Sequence, residues 1–144
     1  MSIFNSMQIS ASGLSLERLK MDTISTNIAN VNTTRTDEGG PYRRKDVIFE
    51  ESLINERNKL TGRYGKRSSG VKVTEIFEDD ENFKSIYDPS HQDADQDGYV
   101  LSPNVNMVDE MIDLISTQRT YEANVTALNS SKSILKKALE ISKG

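Results

Sequence analysis

The chain has 144 residues, enough for one ordinary domain, but only 35% are hydrophobic and 6% aromatic, with no Trp, so a large single core is hard to build. Charged residues make up 28% and the formal net charge is −4, which argues against the basic footprint that general nucleic-acid binding needs. There is no Cys, hence no disulfide and no thiolate chemistry.

No apolar run approaches the roughly 20 residues needed to cross a bilayer. The stretch "MSIFNSMQIS" lacks the basic n-region and continuous apolar h-region of a secretory signal. Neither a membrane span nor a cleaved leader is expected. A chain of this kind that leaves the cytoplasm leaves by another route.

The first segment, residues 1–32, reads as a helix of about 45 Å at a 1.5 Å rise per residue. Met7, Leu14, Met21 and Ile28 recur every seven residues, with Ala11, Ile24 and Val31 filling coiled-coil spacing beside them. Arg18 and Ser25 interrupt the stripe, and Gly13 weakens its middle by about 1 kcal/mol relative to Ala. The helix is expected to end in "NIANVNTT", because Asn and Thr prefer caps and turns.

The second segment, residues 33–103, holds Gly39, Gly40, Gly62, Gly65, Gly70 and Gly98 and all three prolines, Pro41, Pro89 and Pro103. "KDVIFEE", "GVKVTEIFE" and "GYVL" read as short strands between turns, with "RNKLTGRYGKRSSG" as an exposed loop or hairpin tip. Charge is uneven here. Arg57, Lys59, Arg63, Lys66, Arg67 and Lys72 form a basic stretch, and Glu75, Glu78, Asp79, Asp80, Glu81, Asp88, Asp93, Asp95 and Asp97 an acidic one. A solvated surface is the ordinary reading. The sharper one has the basic patch of one subunit meeting the acidic patch of another.

The third segment, residues 104–144, is a second helix, nearly 60 Å long by the same rise. Met107, Leu114, Tyr121, Leu128 and Leu135 form an unbroken seven-residue series, and Met111, Val125 and Leu139 a second row, with Gln118 and Lys132 as its polar members. Asn104 or Asn106 caps the start, Asp109 and Glu110 sit in the first turn, and Lys132, Lys136, Lys137 and Lys143 gather toward the end, as the helix dipole favours. The fold class is therefore mainly α with a small β-rich insert: long N- and C-terminal helices pairing as a coiled coil around a central β region. Two stripes alone make a thin core, so further partners are implied.

Nothing argues for an enzyme. His91 is the only histidine and lies in a loop without nucleophile-elbow context. "GGPYRR" lacks P-loop spacing, no dinucleotide fingerprint is present, and no cofactor is implied. One stretch, "DADQDGYV" from Asp93, opens like an EF-hand loop, which makes a soluble calcium-binding helical module the competing reading. Its twelfth position is Asn104 where a bidentate acid belongs, Pro103 occupies the eleventh, and the upstream flank "YDPSH" is not helical. The stretch reads instead as an acidic turn feeding the short strand "GYV", with no dedicated metal site.

"SGLSLERLKMDTISTNIANVNTT" resembles the N-terminal signature of bacterial flagellar axial proteins, the rod, hook and hook-associated family. The telling parts are Leu19 to Asp22, Ile24 with Asn27, and Ala29-Asn30 followed by Asn32-Thr33. "TTRTDEGGPYRRKDVIFEE" and the span from "YDPSH" to "LKKALEI" are similar to proximal-rod proteins of the C type. Asp37 and Gln92 stand where many such relatives carry proline. The resemblance implies a structural subunit with no cleaved signal, exported by the flagellar type III apparatus and assembled with itself and other rod proteins. The product is a helical drive shaft crossing the periplasm, with the basal-body ring and export gate below it. It also implies that the apolar stripes are assembly interfaces, and that Asn27, Asn30 and Asn32 form the hydrogen-bonded corner turning the first helix into the β region. A generic C-cap is the plainer account of those asparagines.

Overall fold

A computed structural model describes residues 3–57 and 64–143. Helix α1 spans Ile3–Ala29 and helix α2 spans Met107–Lys143. Between them lie strands β1 (Arg44–Arg57), β2 (Tyr64–Asp79), β3 (Lys84–Tyr87) and β4 (Tyr99–Ser102). β1 pairs with β2, and β3 with β4. The architecture is two long terminal helices with a small β insert, as the composition and periodicity predict. The strand reading was incomplete. β3 ("KSIY") was missed because it is short and exposed throughout. The region 57–70 is not all loop: β2 already runs from Tyr64, and Ser69 and Gly70 are buried, while the predicted tip at 58–63 lies outside the described residues.

β3 and β4 run antiparallel with Tyr87 opposite Tyr99, their rings edge to face at 5.3 Å. The chain reaches β4 through Gly98, at φ +81, where a Cβ would lie 2.9 Å from Tyr87 Cε2. Only glycine holds that turn without strain. The direction of the β1–β2 ribbon follows from its ion pairs: Lys45 meets Glu78 and Glu50 meets Lys72, both at 2.8 Å. Moving forward along β1 answers to moving backward along β2, so these strands are antiparallel too.

The chain divides into two compact units. Unit 1 comprises residues 1–19, 48–75 and 117–144; unit 2 comprises 20–47 and 76–116. Each of α1, β1, β2 and α2 contributes to both. Among the described residues the buried apolar side chains are few: Leu16 in unit 1, and Tyr42, Val47, Val100, Pro103 and Val105 in unit 2. Polar groups are buried alongside them, with Asn27 at 0% and Glu110 at 1% exposure. So thin an apolar core leaves much of the ordering to hydrogen bonds.

Candidate functional site

In unit 2 the end of α1 is held by Asn27. An amide side chain offers two donor hydrogens and two acceptor lone pairs, and all four are used. Asn27 Nδ2 donates to the Lys45 carbonyl at 2.8 Å and to Glu110 Oε2 at 3.0 Å. Asn27 Oδ1 accepts from the Tyr42 hydroxyl at 2.9 Å and from the Lys45 N–H at 3.0 Å. One buried residue thus joins α1, the start of β1 and the first turn of α2. Burial pushes the Tyr42 phenol above its ordinary pKa, so it stays protonated and donating.

Glu110 is the second centre. Its Oε1 accepts from Arg44 Nε at 2.6 Å. Burial alone lowers the Arg44 pKa, but the hydrogen bond and charge of Glu110 outweigh it and the net shift is upward. Arg44 also approaches Asp46 and Asp113 at 3.7 and 3.8 Å. The Arg44 N–H donates to Asn104 Oδ1 at 2.9 Å, and the Asn104 amide donates to the carbonyls of Asp79 and Glu81 at 3.0 and 2.9 Å. A buried carboxylate is tolerated here because every oxygen has a donor, one of them cationic.

Of the three predicted corner asparagines, Asn27 belongs to this hub. Asn30 serves the turn after α1: its Nδ2 donates to the Thr26 carbonyl at 2.9 Å, and its Oδ1 accepts from Thr33 Oγ1 at 3.1 Å. Asn32 is exposed and takes no part in the network. The N-cap of α2 is Asn106, whose Oδ1 accepts from the Val108 N–H at 3.1 Å; Asn104 is occupied elsewhere.

In unit 1, β2 crosses α1 at Gly70, at φ +108, where a Cβ would fall on Ser12 Oγ. That hydroxyl donates to the Ile9 carbonyl at 2.7 Å and accepts from the Val71 N–H at 3.1 Å. Gly13 faces Asn124 so closely that a Cβ there would lie 3.0 Å from Asn124 Nδ2. The glycine that weakens α1 by propensity therefore makes room for α2.

The predicted stripe residues divide by exposure. Met7, Leu14, Met21, Ile24 and Ile28 on α1, and Val31 in the turn after it, are half-buried by the chain itself, as are Leu114, Tyr121, Val125, Leu128 and Leu135 on α2. Met107, Met111 and Leu139 are exposed. The inward face of α2 pairs the row Leu114, Tyr121, Leu128, Leu135 with Glu110, Thr117, Asn124 and Ser131, all of them covered. Of the expected second row, Val125 is half-buried while Met111 and Leu139 are exposed within the single chain. Glu110, Arg44, Tyr42 and Asn104 were not foreseen as a structural set. Glu110 reads from sequence as a helix-dipole residue; the signal it did carry was its seven-residue spacing to Thr117, which an apolar search passes over.

The acidic turn uses its own carboxylates. Asp95 Oδ1 accepts from the N–H groups of Asp97 and Tyr99 at 3.0 and 2.8 Å. Asp93 accepts from Thr34 Oγ1 at 2.9 Å and lies 3.7 Å from Arg35. Asp88 is held below the usual carboxylate pKa by bonds from the Ser90 hydroxyl and N–H. Among the described residues no group of three or more His, Asp or Glu is placed to share a metal ion. His91 is exposed, its Nδ1 accepting from the Asp93 N–H. Of the basic stretch, Lys72 pairs with Glu50 within the chain, while Lys59, Arg63 and the Arg57 side chain lie outside what the structure describes. Among the described residues no helix is long and apolar enough to cross a membrane.

Comparison with known proteins bears on both ends of the chain. Residues 7–35 match the family described as flagella basal body rod protein, and residues 96–141 match the C-terminal family of flagellar basal body rod FlgEFG proteins. The flagellar basal-body rod protein FlgC of Bacillus subtilis is 47% identical, covering 99% of this chain and 100% of its own. That of Borreliella burgdorferi is 45% identical over 100% of both. That of Aquifex aeolicus is 39% identical over 97% of both.

Proposed function

The chain belongs to the FlgC family of flagellar basal-body rod proteins, and from that premise we propose that it is a proximal-rod subunit whose copies assemble with one another and with other rod proteins into a torque-bearing shaft. Its place is the basal body, where the shaft crosses the periplasm above the ring and export gate. It gets there through the flagellar type III apparatus. No bond is made or broken; the work is mechanical, carried by interfaces between subunits.

One observation supports this above the others. The α1–α2 seam spends polar and small residues, Asn27 with Glu110 and Gly13 with Asn124, while Val108, Met111, Ile112, Ile115, Ile134 and Leu139 face outward at 52–63% exposure. A helix that serves only its own fold does the reverse. The seven-residue spacing of Leu114, Tyr121, Leu128 and Leu135, all half-buried, supports a coiled-coil pairing of the terminal helices.

The test is fractionation. In a motile host lacking its own copy, tagged protein is expected in detergent-resistant basal bodies together with the other rod proteins. A motile complemented strain whose basal bodies lack the tagged chain would overturn the assignment. Calcium titration of the purified protein, followed by circular dichroism, is expected to show no change in helicity.

A further inference from the structure

Unit 2 contains a groove of about 430 Å³ between the turn at 34–41 and the turn at 92–95, and its lining takes in Tyr99 and Leu101 of β4. That volume falls among small-molecule sites, which run from roughly 300 to 1,000 Å³.

Two kinds of surface meet there. One is apolar. Tyr87 stands opposite Tyr99 in the β3–β4 ladder and Leu101 follows two residues on, so all three share one face of the ribbon. They are 64%, 45% and 52% exposed. The other surface is polar and largely held in place. Asp93 accepts from the Thr34 hydroxyl at 2.9 Å and lies 3.7 Å from Arg35. Asp95 Oδ1 is fixed by two backbone N–H groups, at 3.0 and 2.8 Å. The Gln92 amide is exposed and, among the described residues, has no partner.

This lining narrows the ligand. Arg35 is outnumbered by Asp93 and Asp95, and over its sequence ranges unit 2 has fifteen acidic and six basic residues, net −9, so phosphates and other anions are repelled. Among the described residues no three His, Asp or Glu are placed to share a metal ion. A wholly apolar ligand would take water from the carboxylates and the amide and return no hydrogen bond. A neutral sugar ring suits both surfaces: its C–H face lies on a tyrosine ring, and its hydroxyls meet carboxylate, amide and guanidinium groups.

We propose that this groove binds a neutral glycan, one pyranose ring resting on Tyr99 with its hydroxyls, and those of the next ring, held by Gln92, Asp93 and Arg35. The aromatic platform continues beyond the groove to Tyr87, so a linear chain of several rings fits it better than a single sugar. Every residue of the site belongs to unit 2 of one chain, so binding does not require assembly.

Calorimetric titration of the full-length protein with chitotetraose, a neutral linear oligosaccharide of N-acetylglucosamine, tests this. Saturable binding is expected with a Kd below about 1 mM. Arg35→Ala with Gln92→Ala changes two exposed side chains and is expected to weaken binding about tenfold. Tyr99→Ala removes the platform and is expected to weaken it by more than about tenfold, whereas Tyr99→Phe keeps the ring and stays within about threefold of wild type. Far-UV circular dichroism confirms folding; where Tyr99→Ala loses structure, the Arg35 and Gln92 double variant decides. Oligogalacturonate, built of similar rings that carry carboxylates, is expected to bind at least about tenfold more weakly. Wild-type protein without saturable binding below about 1 mM overturns the site. So do variants that bind like wild type, or an acidic oligomer that binds as well as the neutral one. Cosedimentation with insoluble chitin separates the two sources of such a ligand. Protein retained on the polymer and released by chitotetraose assigns the groove to a glycan strand; chitotetraose binding without retention assigns it to a free oligosaccharide.

Discussion

Removing Asn27 probes the hub most directly. Asn27→Ala deletes four hydrogen bonds at a position with 0% exposure. Two partners are themselves buried, the Tyr42 hydroxyl at 7% residue exposure and the Glu110 carboxylate at 1%, so water cannot readily replace what they lose. Each costs about 1–2 kcal/mol when left without its partner, and the half-buried Lys45 backbone groups add about 0.5 kcal/mol together. The expected loss is about 3 kcal/mol, or roughly 10 °C in Tm for a chain of this size. The assay is urea unfolding of the purified protein at pH 7, followed by far-UV circular dichroism. A change below about 1 kcal/mol would refute the claim that Asn27 holds unit 2 together. A double-mutant cycle sharpens the point. Asn27→Asp keeps the acceptors for Tyr42 and Lys45 but sets a second carboxylate against Glu110, and should cost at least as much as Asn27→Ala. Adding Glu110→Gln supplies a donor toward Asp and removes the repulsion, so the pair should recover more than about 1 kcal/mol relative to additivity.

Other consequences are equally open to measurement. Gly70→Ala places a methyl on Ser12 Oγ at a positive φ and should cost at least about 2 kcal/mol by the same assay, whereas Gly65→Ala, with open space around it, should cost little. The Lys45 hydrogen bond holds the Glu78 pKa below its usual 4.5, so the pair's stabilisation is present above that value and lost as pH falls through the folded pKa. Lys45 is raised above 10.5 by the same bond, so the contribution is also lost as pH rises through its folded pKa. Because Glu78 is 41% exposed, the effect is under about 1 kcal/mol; it is read as the difference between wild type and Lys45→Met at pH 3, 7 and 11. Asn30→Ala should destabilise by about 1 kcal/mol and Asn32→Ala by almost nothing, compared by Tm. Leu128→Pro, in the middle of α2, should abolish assembly and motility; normal swarming in that strain would contradict the role given to the helix.

Both helices were legible because period survives burial: the seven-residue spacing of Leu114, Tyr121, Leu128 and Leu135 needs no partner to be seen. The stops were legible too, since Asn27 to Thr34 cannot easily continue a helix. The family was legible because its signature lies in local stretches at both ends. The hub was not legible. Asn27, Tyr42, Arg44, Asn104 and Glu110 are scattered over more than eighty positions, and nothing in the local pattern of any one announces the others. Polar residues advertise themselves as surface, so a buried Asn–Glu–Arg set contradicts the default reading until the fold brings its members within hydrogen-bond reach. The covered positions Thr117 and Asn124 of α2 were not legible for the same reason, since neither looks like core by hydropathy. Periodicity alone established that this chain has two helices with apolar faces. Which side chains of α2 turn inward was decided by tertiary geometry: in unit 1 Gly13 leaves room for Asn124, and in unit 2 Glu110 reaches Arg44. The apolar residues left outside are a consequence of that choice.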